Sequence, residues 1–212
     1  MKQTNDETGS ATNPAKSSAK DNGEQQDSLL EKFFEDQLKD IYYAEQQITK
    51  ALPKMQNAAT TEELKEAFED HLYQTTKQIK RIEKIFEKLE KKAEGKKCDG
   101  IDGIIKEADT VISETKQGTM TRDAALIIAA QKVEHYEIAT YGGLVQLAIT
   151  MELNDIAELL DKTLMEEEQT DSLLTDIAER YINIEAEEET NYSWNKKEGE
   201  DSKKEKTVGQ EE

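Results

Sequence analysis

Hydrophobic side chains recur along this chain at alternating spacings of three and four residues, the period of one face of a helix. The pattern divides into four long runs near residues 28–57, 61–92, 122–151 and 155–183, with a short run near 101–115. Leu, Ala, Glu, Lys and Gln dominate these runs, which is a composition typical of helices. We therefore predict four long helices and one short helix, with Pro53 as the candidate site of a kink.

Short polar sequences mark where the long helices begin. The sequences "SLLE" at Ser28 and "TTEE" at Thr60 each match a capping box, in which side chains and backbone N–H groups satisfy one another. Thr121 and Asn154 are the expected N-caps of the third and fourth long helices. The links within the first and second pairs of helices are short, whereas a long crossover holding the short helix joins the pairs. This connectivity predicts an all-α, ferritin-like four-helix bundle.

Each long hydrophobic seam is interrupted by side chains that can bind a metal ion. The first seam contains Glu45, the second His71, the third Glu134 and Glu137, and the fourth Glu167 and Asp171. The four seams contain neither Lys nor Arg. In each pair of helices, the interruptions lie at similar distances from the turn that joins the pair. At ~1.5 Å per residue, these distances agree to within about one helical turn. We therefore predict one polar layer inside the bundle.

The charge of this layer limits what it can be. Carboxylates gathered in a low-dielectric interior cannot all stay ionised without cations. Either their pKa values rise until most are neutral, or metal ions supply the balancing charge. Carboxylates with histidine are the ligand set of di-iron and di-manganese bundles, and interruptions on all four seams favour the metal site. For a metal-free core, Arg81 is the available counter-ion, one turn beyond Gln78.

Several side chains are expected to contact the ligands rather than to bind metal: Gln74, Thr75, Gln78, His135 and Tyr141. His135 points about 100° away from the inward line of Glu134 and Glu137, so we expect it to bond at most to a ligand carboxylate. The mid-helix pair Gly142–Gly143 indicates a close approach of another helix, either the fourth long helix or a second copy.

The composition of the chain bears on its tails, its partners and its cellular compartment. The chain has 212 residues, and 47 acidic against 28 basic side chains give a net charge of -19. Residues 1–27 and 185–212 are too polar to form a core, so we predict disordered tails around a bundle at 28–184. The negative charge argues against nucleic acids and anionic membranes as partners. There is no spanning run or signal sequence, and with Cys98 as the single cysteine we expect a cytoplasmic protein.

The chain resembles the YciE/YciF family of ferritin-like stress proteins. The resemblance covers about residues 29–183 and is carried by "DQLKDIYYAEQQITKALPKM", "AFEDHLYQTTKQIKRIEKIF", "KKCDGIDGIIKEA", "RDAALIIAAQKVEHYEIATYG" and "LLDKTLMEEEQTD". The stretch "AAQKVEHYEIATYG" is the most specific. The resemblance implies a ferritin-like bundle that forms a homodimer, and it implies ferroxidase activity.

The resemblance also assigns site residues by position. Glu45 corresponds to the carboxylate of the first helix, and Glu134 with Glu137 to the carboxylate pair of the third. Glu167 falls where the fourth helix supplies its carboxylate.

Two departures from the ferritin-like pattern make this site rich in carboxylate and poor in histidine. Phe68 stands three residues before His71, where E-x-x-H is usual, and "HLYQT" replaces the "HLEET" found in many relatives. On the fourth helix, Thr170 or Asp171 stands in place of the usual histidine. These departures weaken one metal position or favour one ion over two.

Three hypotheses for function follow. The leading one is a metal-binding oxidoreductase that holds iron, as Fe(II) or Fe(III), and reacts it with oxygen or peroxide. A second keeps the site but uses manganese for peroxide disproportionation. The third is a non-enzymatic, dimeric stress protein or adaptor with a protonated, metal-free polar core. Nothing in the sequence indicates assembly into an iron-storage cage.

Overall fold

The structure, a computed structural model, describes residues 28–190, which are helical almost throughout. The long helices are α1 (Leu29–Ala58), α2 (Glu62–Lys88), α4 (Met120–Thr150) and α5 (Asn154–Ile177). The crossover contains α3 (Asp99–Glu114), and a π-helical segment (Ala178–Ile182) joins α5 to α6 (Asn183–Glu188). The predicted all-α bundle with a short crossover helix is confirmed.

The helix boundaries differ from the predicted ones by a few residues. Helix α1 continues through Pro53, and α6 extends beyond the predicted bundle boundary at residue 184. The tails predicted at 1–27 and, from residue 191 onward, at 185–212 lie outside the described residues.

The four long helices pack around one core. Helix α1 packs along α2 and α4 along α5, and the two pairs meet where α2 faces α5 and α1 faces α4. Helix α3 lies over the edge between α1 and α4. Apolar side chains above and below the polar layer are almost fully buried, among them Phe34, Leu38, Phe68, Ile82 and Leu126. None of the helices within residues 28–190 combines the length and the hydropathy of a membrane-spanning segment.

Local sequence sets some helix starts. The Ser28 capping box is confirmed: the Ser28 hydroxyl accepts from the Glu31 backbone N–H at 3.1 Å, and the Glu31 carboxylate accepts from the Ser28 N–H. For α4 the predicted cap at Thr121 is wrong, because Thr119 accepts from the Arg122 N–H at 3.1 Å. Helix α5 is capped at Leu153, so Asn154 is its first helical residue rather than its cap.

The start of α2 is held by a tertiary contact instead of the predicted capping box at Thr60. Thr61 takes the N-cap position, and the fully buried carboxylate of Asp123 on α4 accepts the nearby donors. These are the backbone N–H groups of Thr60 and Thr61, at 2.6 and 2.8 Å, and the Thr61 hydroxyl at 2.8 Å. Asp123 therefore ties the α1–α2 turn to the start of α4 and helps to fix the relative heights of the helices.

The glycine pair of α4 faces away from the rest of the chain. A Cβ added at Gly142 or Gly143 would meet no atom of the described residues within 4 Å beyond its own helix and chain neighbours. The predicted close approach to the fourth long helix, α5, is therefore wrong, whereas a contact with a second copy stays a prediction.

Replacing Asp123 tests the tie between the α1–α2 turn and α4. We expect Asp123→Ala to lower the free energy of unfolding by about 2–4 kcal/mol, because buried donors lose a charged acceptor. Asp109→Ala is the matched control: its carboxylate pairs with Lys54 at 3.2 Å but is 49% exposed, so we expect a loss below about 1 kcal/mol. Urea unfolding followed by circular dichroism measures both, and equal effects would contradict the assignment.

Candidate metal centre

Four buried side chains from three helices converge at one level of the bundle. His71 comes from α2, Glu134 and Glu137 from α4, and Glu167 from α5. One ligand atom from each lies within 4.8 Å of the others, and none of the four is more than 3% exposed. Because Glu134 and Glu137 are three residues apart on a helix, both carboxylates reach the same side of α4. The structure thus brings together four of the six predicted ligands.

Glu45 of α1 lies beside this group rather than within it. Its carboxylate is fully buried and adjoins Glu137, and the Tyr141 hydroxyl donates to its Oε1. Burial raises the pKa of the Tyr141 hydroxyl well above 10, so this hydroxyl remains a donor at neutral pH. The predicted contact between Tyr141 and a candidate ligand is therefore present.

Asp171 and His135 face each other at the edge of the bundle, apart from the four-residue group. Asp171 Oδ1 lies 3.2 Å from His135 Nε2 and accepts from Gln131 Nε2, also at 3.2 Å. The His135 side chain is 69% exposed. Asp171 therefore lies outside the four-residue group, although its charge helps to raise the pKa of Glu134, and the carboxylate that His135 contacts is that of Asp171, itself a predicted ligand.

The other predicted neighbours divide between ligand contacts and helix contacts. Gln78 Nε2 donates to Glu167 Oε1, which orients that carboxylate. The Thr75 hydroxyl donates to the backbone carbonyl of His71 at 2.9 Å, and Gln74 Oε1 accepts from the Thr170 hydroxyl on α5 at 3.3 Å. Gln78 therefore touches a ligand side chain, whereas Thr75 bonds to the backbone and Gln74 to α5.

The "HLYQT" departure does not place an aromatic ligand in the site. Tyr73 is 64% exposed, and Lys77 Nζ lies 3.8 Å from the centre of its ring. Its side chain therefore points away from the polar layer.

Arg81, the available counter-ion for a metal-free core, binds a carboxylate beside the layer and not within it. Its guanidinium donates two hydrogen bonds to Glu166, at 2.9 and 3.0 Å, and a further one to Thr163. This pair was not predicted from the sequence. The signal was present, because Gln78 and Arg81 are three residues apart on α2 and both reach Glu166.

Burial dominates the electrostatics of the layer. It raises the pKa values of Glu45, Glu134 and Glu137 well above 4.5, and neighbouring carboxylates raise them further. Burial also raises the pKa of Glu167, but only to about 7, because the adjacent Glu134 carboxyl and the hydrogen bond from Gln78 favour its ionised form.

His71 is neutral at physiological pH because burial lowers its pKa to about 4. Its Nδ1 lies 3.6 Å from Glu134 Oε1 and its Nε2 4.0 Å from Glu167 Oε2. These distances are too long for hydrogen bonds, so the contacts are not salt bridges. A neutral imidazole is the form that binds a metal.

Unpaired buried atoms show that the donor set fits a metal ion. Within residues 28–190, these atoms lack a hydrogen-bond partner: Glu45 Oε2, both ring nitrogens of His71, Glu134 Oε2, both carboxylate oxygens of Glu137, and Glu167 Oε2. A buried polar atom without a partner is rare, because it carries a desolvation penalty unless it binds a proton or an ion. Imidazole nitrogen with carboxylate oxygen suits iron and manganese.

Protons offer the other way to complete these atoms. Glu137 is close enough to Glu45, and Glu134 to Glu167, for each pair to share a proton. The layer can therefore balance its charge by proton sharing or by binding a cation, as the sequence reasoning anticipated.

Comparison with known proteins supports the resemblance seen in the sequence. Residues 29–187 match the family described as "Domain of unknown function (DUF892)". Protein YciF of Escherichia coli (strain K12) is 46% identical over 159 residues, which are 74% of this chain and 95% of that protein.

Solved structures agree in fold. The crystal structure of the E. coli stress protein YciF matches with a TM-score of 0.69 at 46% identity, covering 73% of this chain and 97% of that one. YcfI, a proposed structural protein from Rhodopseudomonas palustris, matches with a TM-score of 0.68 at 43% identity, covering 72% and 97%. The predicted YciE/YciF relationship is confirmed.

Glu137→Gln tests whether burial controls the stability of the layer. Because the pKa of Glu137 is raised above 4.5, the folded chelator-treated protein holds a proton that the unfolded chain releases. Its stability should therefore fall as pH rises above 4.5, by up to about 1.4 kcal/mol per pH unit, until the folded-state pKa is passed. Glutamine removes this loss, so the variant should match wild type near pH 5 and exceed it near pH 8.

Urea unfolding across this pH range, after chelator treatment, measures the difference. His71 acts with the opposite sign, since its stability contribution is lost as pH falls from 6.5 through about 4, but it is common to both proteins. Glu168→Gln, at an exposed position of α5, is the control and should leave the pH profile unchanged. A wild-type profile for Glu137→Gln would show that burial of this carboxyl does not govern stability.

Proposed function

This chain belongs to the DUF892 family, and from that premise we propose that its buried layer binds iron and oxidises Fe(II) with oxygen or peroxide. The observation that carries the proposal is the convergence of a neutral His71 with three buried carboxylates within 4.8 Å. The E. coli relative is a stress protein, and consuming Fe(II) together with an oxidant would give this chain a protective role of the same kind.

The charge of the group favours oxidation of the iron. Glu134, Glu137 and Glu167 carry three negative charges when ionised, and His71 carries none. Fe(II) would leave this group with net negative charge, whereas Fe(III) would neutralise it. Because unbalanced charge is costly in a low-dielectric interior, the donor set stabilises the product of Fe(II) oxidation over the substrate.

Glu45 extends the group towards a second metal position. It adjoins Glu137, which is therefore placed to bridge two ions. The second position would have fewer protein ligands, because Phe68 occupies the usual place of a glutamate and Asp171 faces His135. We infer that the position at His71 binds more tightly than the one at Glu45.

Neighbouring side chains orient the ligands. Tyr141 donates to one oxygen of Glu45, and Gln78 donates to one oxygen of Glu167, leaving the second oxygen of each free of other donors within residues 28–190. Fixing one oxygen aims the other, which lowers the ordering entropy that binding would otherwise require.

Two observations favour other functions. The same hard oxygen donors suit manganese, with which the reaction would be peroxide disproportionation. The carboxyl pairs close enough to share protons would suit a metal-free, non-enzymatic structural protein.

Metal binding separates these functions. We expect chelator-treated wild-type protein, refilled with Fe(II) or Mn(II), to retain the metal after desalting. In a separate sample with free metal at a hundredfold excess over Kd, it should gain about 2.7 kcal/mol of stability. Glu167→Gln should weaken retention at least about tenfold, since a charged ligand is lost. Glu168→Gln, the exposed neighbour on the same helix, should retain metal like wild type.

Elemental analysis and thermal unfolding give the two readouts, and oxygen-dependent formation of Fe(III) absorbance reports oxidation. Gas release from peroxide by the manganese form alone would assign the disproportionation reaction instead. Wild-type protein that retains neither metal would leave the metal-free structural function.

We further propose that a second copy packs on the outward face of α4. This face carries Ile128, Ala139, Gly143 and Ile149, and its two isoleucines are 59% and 50% exposed. Its charged residue, Lys132, is paired with Glu107 at 2.6 Å. Since the chain as a whole has a net charge of -19, a nearly neutral face is where two copies meet with least repulsion.

Gly143→Arg tests this face without disturbing the fold. A Cβ at this position meets no described atom within 4 Å beyond its own helix and chain neighbours, so the monomer should tolerate the arginine and the dimer should not. Light scattering should give the mass of one chain, 24.1 kDa, for this variant and twice that for wild type. Gly143→Ala is the control and should stay dimeric; an unchanged mass for Gly143→Arg would exclude this face.

A further inference from the structure

We propose that a depression between α2 and α5 is the port through which divalent cations reach the buried layer, and that the contact between Gln74 and Thr170 is its gate. The inference rests on the proposed metal binding and names the route by which the ion arrives. It concerns the rates of uptake and release, which the ligands themselves do not determine.

The depression leads directly to a candidate ligand. It has a volume of about 190 Å³ and is lined by Ala67, Asp70, His71, Gln74, Gln169, Thr170 and Leu173. Of the four converging ligands, His71 is the one in its wall. A cation held in the depression would therefore meet His71 before the carboxylates.

The architecture leaves this seam open to solvent. Helix α3 lies over the opposite edge of the bundle, between α1 and α4, and among residues 28–190 no helix lies over the seam between α2 and α5. A small void of about 10 Å³ does exist on the α3 side next to Glu134, but apart from that residue its walls are apolar, as at Ile48, Leu52 and Val133. An ion has no partners there, so that void cannot conduct one.

The walls of the depression suit a hydrated cation. Asp70 is exposed at its mouth and supplies a negative charge, while Gln74, Gln169 and Thr170 supply neutral side-chain oxygens. Such oxygens replace the water ligands of a divalent ion one at a time. None of the described lining residues is a lysine or an arginine, and the net charge of -19 draws cations towards the protein.

The gate is the weakest polar contact across the seam. The Thr170 hydroxyl donates to Gln74 Oε1 at 3.3 Å, but its single proton is shared with the Glu166 backbone carbonyl at 3.1 Å. Farther along the seam, the bidentate pair of Arg81 and Glu166 at 2.9 and 3.0 Å closes it firmly. The seam therefore opens most easily at Gln74, whose half-buried side chain can rotate away without moving a helix.

Cobalt(II) is the probe for this port, because its visible absorption reports binding without oxidation chemistry. We expect Gln74→Leu to slow both uptake and chelator-driven release of Co(II) about tenfold. Leucine loses the weak bond to Thr170, but its apolar side chain still stands on the path and offers a passing ion no oxygen, which is the larger effect. Both rates should fall by the same factor, so Kd should stay within about twofold of wild type, as expected for a change on the path and not at the ligands.

Charge reversal at the mouth gives a second variant that does not depend on packing at Gln74. Asp70→Lys should slow uptake about tenfold at low salt, with less effect at high salt. Glu69→Lys is the matched control: it makes the same charge change at an exposed neighbouring position outside the depression and should change uptake less than twofold.

The outcomes separate the port from the metal site. If wild-type protein binds Co(II) while Gln74→Leu and Asp70→Lys take it up at wild-type rates, the port is wrong and the metal site stands. If Asp70→Lys and Glu69→Lys slow Co(II) uptake equally, the effect comes from net charge and not from the mouth of the depression. That result would also overturn the port. If wild-type protein binds no Co(II), the metal site and the port both fall.

Discussion

The burial of four carboxylates and one neutral imidazole is the constraint on which this structure depends. Glu45, Glu134, Glu137 and Glu167 are at most 2% exposed, and each would lose several kcal/mol of hydration if it stayed ionised there. Protons or metal ions must therefore complete the layer. Hydrophobic packing on either side of the layer and ties such as that of Asp123 to the α1–α2 turn offset this cost.

The polar neighbours give the layer two different sides. On the α1 side a tyrosine, Tyr141, holds Glu45, and on the α2–α5 side an amide, Gln78, holds Glu167. The one nearby guanidinium, Arg81, is bound by Glu166 at the edge and so does not neutralise the centre directly. The central carboxyls are therefore left to be neutralised by protons or by a bound cation.

Helix period predicted most of the fold and much of the site. The spacing of three and four residues fixes which side of a helix a residue faces, and Glu45, His71 and Glu167 are buried as that spacing indicated. The same reasoning turned His135 outward, where the structure has it. Asp171 shows the limit of this reasoning. It lies at the edge of the α5 seam, so its carboxylate faces His135 and not the centre of the layer.

The sequence by itself determined the helices, the connectivity of the bundle and the presence of ligand-type residues on every seam. Those features follow from local periodicity and from short-range capping such as that at Ser28. Only the tertiary structure decided which ligands converge, which partner Arg81 takes, and that Asp123 replaces the capping box at Thr60. The physical reason is that periodicity sets directions around one helix axis, whereas distances between helices depend on how their surfaces pack together.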